Sequence, residues 1–124
     1  MKIVKVILLS LIAVSLVVSF AFAAGNVAKG KALFNDPKFA GGTSGKSCNS
    51  CHPDGKGLEE AGIKKEWGTP AGVHKTLEEA VNTCITMALE GKALDPKSQE
   101  MKEIVAYIKS LGKGVPAAKP KKED

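Results

Sequence analysis

The stretch Cys48-Asn49-Ser50-Cys51-His52 says most about how this chain of 124 residues folds. Two cysteines three positions apart, followed at once by histidine, form the attachment motif of a c-type haem. Each thiol adds across one vinyl group of the porphyrin, and one turn of backbone matches the separation of the two vinyls. His52 then lies beneath the ring. The motif predicts one covalent haem c, bound by Cys48, Cys51 and His52, with His52 as the proximal iron ligand.

Three other uses of close cysteines fit this stretch less well. A thioredoxin-like redox pair follows a strand, whereas residues 40–47 form a loop rich in glycine and serine. A structural zinc site needs four ligands at the usual spacings, and His74 and Cys84, which lie outside the motif, form no second close pair. A disulfide between the two motif cysteines leaves His52 without a role. Haem attachment is therefore the favoured interpretation.

The N-terminal segment is organised as an export signal. Two early lysines accompany an apolar run from Ile3 to Phe22, and the segment ends in Ala21-Phe22-Ala23-Ala24. This pattern predicts a signal peptide over residues 1–23. The apolar run is longer than the roughly 7–15 residues of an ordinary signal core and long enough to span a bilayer as a retained anchor. Both fates leave the haem domain periplasmic or otherwise exported, with membrane contact only if the segment is retained.

Size and charge narrow the possible partners. The roughly 100 residues after the leader suit a single domain. The formal net charge is +5, and all 18 basic residues are lysines. This modest charge gives no case for nucleic acid. Lys46 and Lys56 flank the haem motif and can guide an acidic redox partner protein, although solvated loop lysines are the simpler explanation.

The apolar spacing predicts an all-α domain over residues 24–114. Val27 to Phe34 forms a short amphipathic helix. A capping box at Thr76 and Glu79 begins a helix that runs to about Leu89, with Gly91 ending it. The last helix is predicted to begin at Asp95-Pro96 and to close at Gly112. No alternating pattern indicates a sheet. Residues 115–124, rich in lysine and proline, are predicted to be a disordered tail.

Together these residues resemble the monohaem class I cytochrome c family. The match consists of the first helix with Gly30 and Phe34, the haem motif, and the last helix with Tyr107. The resemblance implies a class I cytochrome c-like fold whose helices wrap around one covalently attached haem. It also implies that the first and last helices cross, with Gly30 beside Tyr107.

A narrower resemblance lies in the C-terminal half. Residues 82–94, with Ser98 to Met101 and Tyr107-Ile108, resemble the haem domains of thiosulfate dehydrogenases and related sulfur-oxidation cytochromes. In those proteins a cysteine at the position of Cys84 coordinates the iron, which implies the same role here. Those enzymes usually carry a second haem domain and favour arginine near the sulfur substrate. This chain has one haem motif and no arginine, so the resemblance implies the fold more than the activity.

The distal iron ligand remains open between two residues. Cys84 and Met87 are three apart on one predicted helix and so share one side of it. Met101 is assigned to core packing, and His74 to the surface or to a hydrogen bond. Met87, 20 residues before Tyr107, is the favoured ligand of an electron carrier, with Cys84 as the alternative. A thioether would raise the reduction potential, and a thiolate would lower it.

The favoured function is a monohaem c-type cytochrome that carries single electrons between periplasmic redox partners and has no catalytic residues. The alternative is a sulfur-compound (thiosulfate-type) oxidoreductase or its cytochrome subunit. A five-coordinate haem sensor follows if neither Cys84 nor Met87 reaches the iron. Trp67 and Tyr107 either pack near the ring, bond to a haem propionate, or simply fill the core.

Overall fold

Residues 25–112, which the computed structural model describes, form helices joined by tight turns and one small hairpin. The helices are α1 (Val27–Asn35), α2 (Cys48–Cys51), α3 (Leu77–Met87) and α4 (Gln99–Ser110). Short 3-10 turns cover Phe39–Gly41 and Pro53–Gly55. The strands are β1 (Trp67–Thr69) and β2 (Gly72–His74). The predicted signal peptide (1–23) and tail (115–124) lie outside the described residues. Within residues 25–112, no helix has the length and apolarity to cross a membrane.

The first and last helices pack against each other, as the class I resemblance implied. A Cβ on Gly30 would collide with the backbone carbonyl of Glu103 and lie 2.8 Å from the Cβ of Tyr107. One turn later, the ring of Phe34 meets the ring of Tyr107 edge-on, with centroids 5.0 Å apart. The glycine therefore permits the close approach, and the aromatic pair fills the space beside it.

Helix α3 begins where its capping box predicted. The Thr76 side chain accepts a hydrogen bond from the Glu79 amide at 3.2 Å. The Glu79 carboxylate accepts from the amide of Lys75 at 3.3 Å, so the return bond reaches one residue further back than predicted. The helix ends at Met87, two residues before the predicted Leu89.

The residue that reverses the chain after α3 is Glu90, and the prediction that Gly91 ends the helix needs correction. Glu90 has a φ of 54°, in the left-handed region. The Gly91 amide donates to the Ile85 carbonyl at 3.0 Å, which closes the last turn. A Cβ on Gly91 would lie 2.8 Å from the carbonyl oxygen of Ala40. A side chain at position 91 would therefore collide with the segment that contains Ala40. The unfavourable backbone angle lies at Glu90 instead.

Replacing Glu90 with glycine is expected to stabilise the protein by about 1 kcal/mol. The reason is that a side chain in the left-handed region costs roughly 1–2 kcal/mol, from which the greater freedom of unfolded glycine must be subtracted. Thermal unfolding of the purified protein measures the change. Lys102→Gly, at an exposed position within α4, is the control and should destabilise by about 1 kcal/mol. A loss of stability in Glu90→Gly would contradict the expectation.

The start of the last helix differs from the prediction. Asp95-Pro96 does not open the helix, because the Asp95 carboxylate accepts from the Lys97 amide at 2.8 Å and closes a separate turn. Ser98 is the cap instead, since its hydroxyl accepts from the Met101 amide at 3.2 Å. Helix α4 therefore begins at Gln99. Met101 is completely buried in the core, as predicted.

The prediction of an all-α domain is wrong at residues 67–74. Strands β1 and β2 pair antiparallel, with Trp67 opposite His74 and Thr69 opposite Gly72. Pro70 and Ala71 form the connecting turn, and Gly72 has a φ of 125°. Each strand has three residues, too few to produce a recognisable alternating pattern.

The core lies between α1, α3 and α4. Its buried side chains are mostly large and apolar: Phe34, Phe39, Leu77, Val81, Ile85, Leu89, Met101, Ile104, Val105 and Ile108. Several of them also form one side of the cavity described next, so the packing of the helices positions that cavity.

Candidate haem-binding site

A largely apolar cavity of about 360 Å³ lies beside the core. The haem motif, the segment from Gly57 to Pro70, and α3 supply most of its walls, and Phe34 and Ile108 close the side toward the crossed helices. The cavity is partly open, and Lys64 lines it. An apolar cavity of this kind suits a flat hydrophobic group with a polar edge.

Helix α2 presents the attachment cysteines to this cavity. It is a single turn, and Ser47 and Ser50 close its start, with the Ser47 amide donating to the Ser50 hydroxyl at 2.9 Å. Asn49 accepts a bond from the Asp54 amide at 2.9 Å, which ties the turn to the loop behind it. Cys48 and Cys51 both line the cavity. The predicted attachment residues are therefore held together by local hydrogen bonds.

His52 lines the same cavity, and one of its two ring nitrogens makes a hydrogen bond to the backbone. Its Nδ1 lies 2.9 Å from the carbonyl oxygen of Lys56. Because a carbonyl can only accept, Nδ1 carries the proton and Nε2 keeps its lone pair. This backbone contact orients the ring and fixes the tautomer in the way typical of metal-bound histidines. The structure thus places His52 at the cavity with an Nε2 whose lone pair is available to a metal ion.

The two candidate distal ligands occupy different surroundings. Cys84 is half-buried and lines the cavity, whereas Met87 is 56 % exposed and is not among the lining residues. The cavity-facing stripe of α3 consists of Leu77, Ala80, Val81 and Cys84, and Ala88, directly after the helix, continues it. Three residues along a helix rotate the side chain by about 60° from the starting direction, which carries Met87 past the edge of the stripe.

The thiols in the cavity affect one another. Burial raises the pKa of Cys48 to about 12, and the nearby Cys84 thiol is the second cause. Burial also raises the pKa of Cys84, with Cys51 as the second cause. Both effects disfavour the thiolate form. All three cysteines line the same cavity.

The other residues considered from sequence have defined places. The Trp67 indole lines the cavity, but its N–H donates to the Ala61 carbonyl at 3.0 Å, so that N–H is not directed to a propionate. Tyr107 is buried against Phe34 and lies outside the lining. Burial raises the pKa of Tyr107, with the Asp54 carboxylate as the second cause. His74 makes hydrogen bonds, as predicted, and lies outside the lining.

Two parts of the cavity wall were not predicted from the sequence: Lys64 and the hairpin that contributes Trp67 to Pro70. Lys64 lies in a segment rich in charged residues, in which nothing marked it as facing a cavity. The strands of the hairpin are too short to show an alternating pattern. The apolar stripe of α3 could have been predicted from the sequence, because its residues recur at helical spacing around Cys84.

The residues present fit a covalently attached haem. Two thiols and an imidazole with an available Nε2 lie in one apolar cavity, and a third thiol stands in the same cavity on a different helix. Comparison with known proteins agrees. The family described as SoxA/TsdA, cytochrome c domain, matches residues 29–117. Neither a curated protein nor a solved structure matches the chain. The match confirms the resemblance to sulfur-oxidation cytochromes, and a cytochrome c domain implies covalently bound haem c. The chain belongs to the SoxA/TsdA cytochrome c domain family.

Proposed function

We propose that this chain is a monohaem cytochrome that carries single electrons between redox partners in the periplasm. The observation that supports this most directly is the shared cavity of Cys48, Cys51, His52 and Cys84. Four potential attachment or ligand groups converge there, against a largely apolar lining. A carrier needs this arrangement and no further catalytic residue.

The residues divide into attachment and ligation. Cys48 and Cys51 would hold the haem covalently, His52 would bind the iron through Nε2, and Cys84 would be the distal ligand. This assignment replaces the sequence-based preference for Met87, because Met87 lies outside the cavity lining. When bound, the haem supplies a one-electron couple whose potential depends on its axial ligands.

The surrounding chain tunes that couple. The Lys56 carbonyl orients the His52 ring and fixes its tautomer through the Nδ1 hydrogen bond. The apolar stripe of α3 lowers the local dielectric constant. Lys46 and Lys56 are exposed beside the motif, where they would favour an acidic partner protein. Export by residues 1–23 completes the proposal, since the attachment of haem c takes place outside the bacterial cytoplasm.

Spectroscopy of the holoprotein tests this proposal. The full chain, produced in a host that attaches haem c, should give one haem per chain and a reversible one-electron titration. The control is a Cys48→Ser, Cys51→Ser double variant, from which any haem should be extractable by acidic acetone. Colourless wild-type protein, or a couple that does not follow one-electron behaviour, would contradict the proposal.

Oxidation of sulfur compounds is the second candidate, favoured by the family match and by the Cys84 thiol in a partly open cavity. In this case the chain would be a thiosulfate-type oxidoreductase or its cytochrome subunit. Turnover of thiosulfate with an artificial electron acceptor distinguishes the candidates. Steady turnover that disappears in Cys84→Ala would establish the enzyme, and its absence in the isolated chain would favour the carrier.

Substitution of Met87 by leucine is expected to leave the holoprotein unchanged. The side chain is exposed and lies outside the cavity, so its removal should alter stability by less than about 0.5 kcal/mol. The ferric absorption spectrum and the reduction potential are the measurements. A shift in either one would show that Met87 reaches the iron.

A further inference from the structure

His74 joins three elements through one ring nitrogen. It lies at the end of β2, and its Nε2 is 3.0 Å from the hydroxyl of Thr69 on β1 and 3.0 Å from the hydroxyl of Thr83 on α3. The side chain is 21 % exposed. Within residues 25–112, the bond from His74 to Thr83 is the side-chain hydrogen bond that links the hairpin to α3.

The direction of these bonds follows from the donors available. The Thr69 hydroxyl donates to the Gly72 carbonyl at 3.1 Å, and the Thr83 hydroxyl donates to the Glu79 carbonyl at 3.1 Å. A hydroxyl has one proton, so each can only accept from the imidazole. His74 therefore carries its proton on Nε2 and shares it between both threonines, while Nδ1 faces the Glu79 carboxylate at 4.0 Å.

Both ends of this network border the haem cavity. The hairpin contributes Trp67, Thr69 and Pro70 to the cavity wall, and Thr83 immediately precedes Cys84. The hairpin strands have three residues each, and a ribbon that short has little stability of its own. Its attachment to α3 therefore contributes to holding this wall beside Cys84, together with the hydrogen bond from Trp67 to Ala61.

We propose that His74 is a positioning residue of the haem site: it fastens the hairpin wall to α3 and so keeps the segment carrying Cys84 at the cavity. The inference rests on the proposed function, because it takes Cys84 to be the distal ligand. Loss of the Nε2 donor should loosen the hairpin and make the distal ligation heterogeneous.

The test compares three variants of the holoprotein. His74→Ala removes the donor. His74→Gln places an amide N–H near the position of Nε2, and Val73→Thr alters a neighbouring exposed residue of the same strand. Hydrogen exchange of the amides in residues 67–74 and electron paramagnetic resonance of the ferric protein are recorded for each. Exchange in His74→Ala should be about tenfold faster, as expected from the loss of one shared hydrogen bond, and its low-spin signal should split into more than one species. His74→Gln should largely restore both properties, and Val73→Thr should match the wild type.

Two results would overturn the inference. One is His74→Ala with wild-type exchange and a single wild-type resonance. The other is faster hairpin exchange with an unchanged resonance, since the bond would then be structural only. If His74→Ala does not yield folded protein, Thr83→Val removes the acceptor with little change of shape and undergoes the same measurements, with the same outcomes required.

Failure of the proposed function is recognised separately. If the wild-type resonance is not that of a thiolate-ligated iron, the assignment of Cys84 fails, and with it the ligation part of the inference. The exchange measurement does not depend on the ligand. It still reports whether His74 fastens the hairpin to α3.

Discussion

Replacing Cys84 with methionine should raise the reduction potential of the holoprotein substantially. With Cys84 as the proposed distal ligand, the substitution would exchange an anionic thiolate for a neutral thioether, and a thiolate favours ferric iron. One unit charge at about 4 Å contributes on the order of 4 kcal/mol at an effective dielectric constant near 20. For a one-electron couple this corresponds to roughly 170 mV. Potentiometric titration of the purified holoprotein gives the shift directly.

The Met87→Leu variant is the matched control for this measurement. It alters the other candidate ligand on the same helix, three residues away, and should leave the potential where it is in the wild type. The opposite pattern, an unchanged potential in Cys84→Met and a large shift in Met87→Leu, would restore the interpretation favoured from the sequence. The ferric spectrum provides a second reading, since it distinguishes thioether from thiolate coordination.

Replacing Gly30 with alanine should destabilise the fold strongly. The new Cβ would collide with the Glu103 carbonyl and press on the Cβ of Tyr107, so α1 and α4 would have to separate. Overpacking of this kind typically lowers the free energy of unfolding by about 1–3 kcal/mol and occasionally more. The loss for Gly30→Ala should lie near the upper end of this range, because the new Cβ meets rigid backbone. Alanine recovers about 1 kcal/mol through its higher helix propensity. We therefore expect a net loss of about 2 kcal/mol or more in denaturant unfolding.

Gly68→Ala is the control for the helix crossing. Gly68 lies on β1, and an added Cβ there would meet no atom within 4 Å. Its effect should remain within about 0.5 kcal/mol. Equal stability of Gly30→Ala and the wild type would show that the two helices do not depend on this close approach.

Three features of the fold were predictable from the sequence, two from short local patterns and one from the family resemblance. The haem motif, the Thr76 cap and the Gly30–Tyr107 contact each depend on a short pattern or on a resemblance with a simple steric basis. The hairpin was not predictable, because three-residue strands carry no periodicity. The start of α4 was misplaced because Asp95 and Ser98 are both good caps, and the turn closed by the Asp95 carboxylate decided between them.

Which of the two candidate distal ligands lines the cavity could not be predicted from the sequence. Cys84 and Met87 share one side of α3 by spacing alone, and a difference of about 60° in direction separates a cavity residue from an exposed one. Which of the two faces inward depends on how α3 is rotated against the core, through Leu77, Val81 and Ile85. That rotation is a property of the packed helices and is absent from any local pattern.

The turn that carries Cys48 and Cys51, from Ser47 to Lys56, also bears on how the haem would be attached. Its hydrogen bonds close within Ser47 to Lys56, so this turn can form without contacts from the remote helices. On the proposed function, haem attachment would therefore not depend on α3 or on the hairpin. Substitutions in α3 or the hairpin should accordingly give protein that contains haem but has an altered absorption spectrum. Substitutions that disrupt the turn between Ser47 and Lys56 should give protein without attached haem.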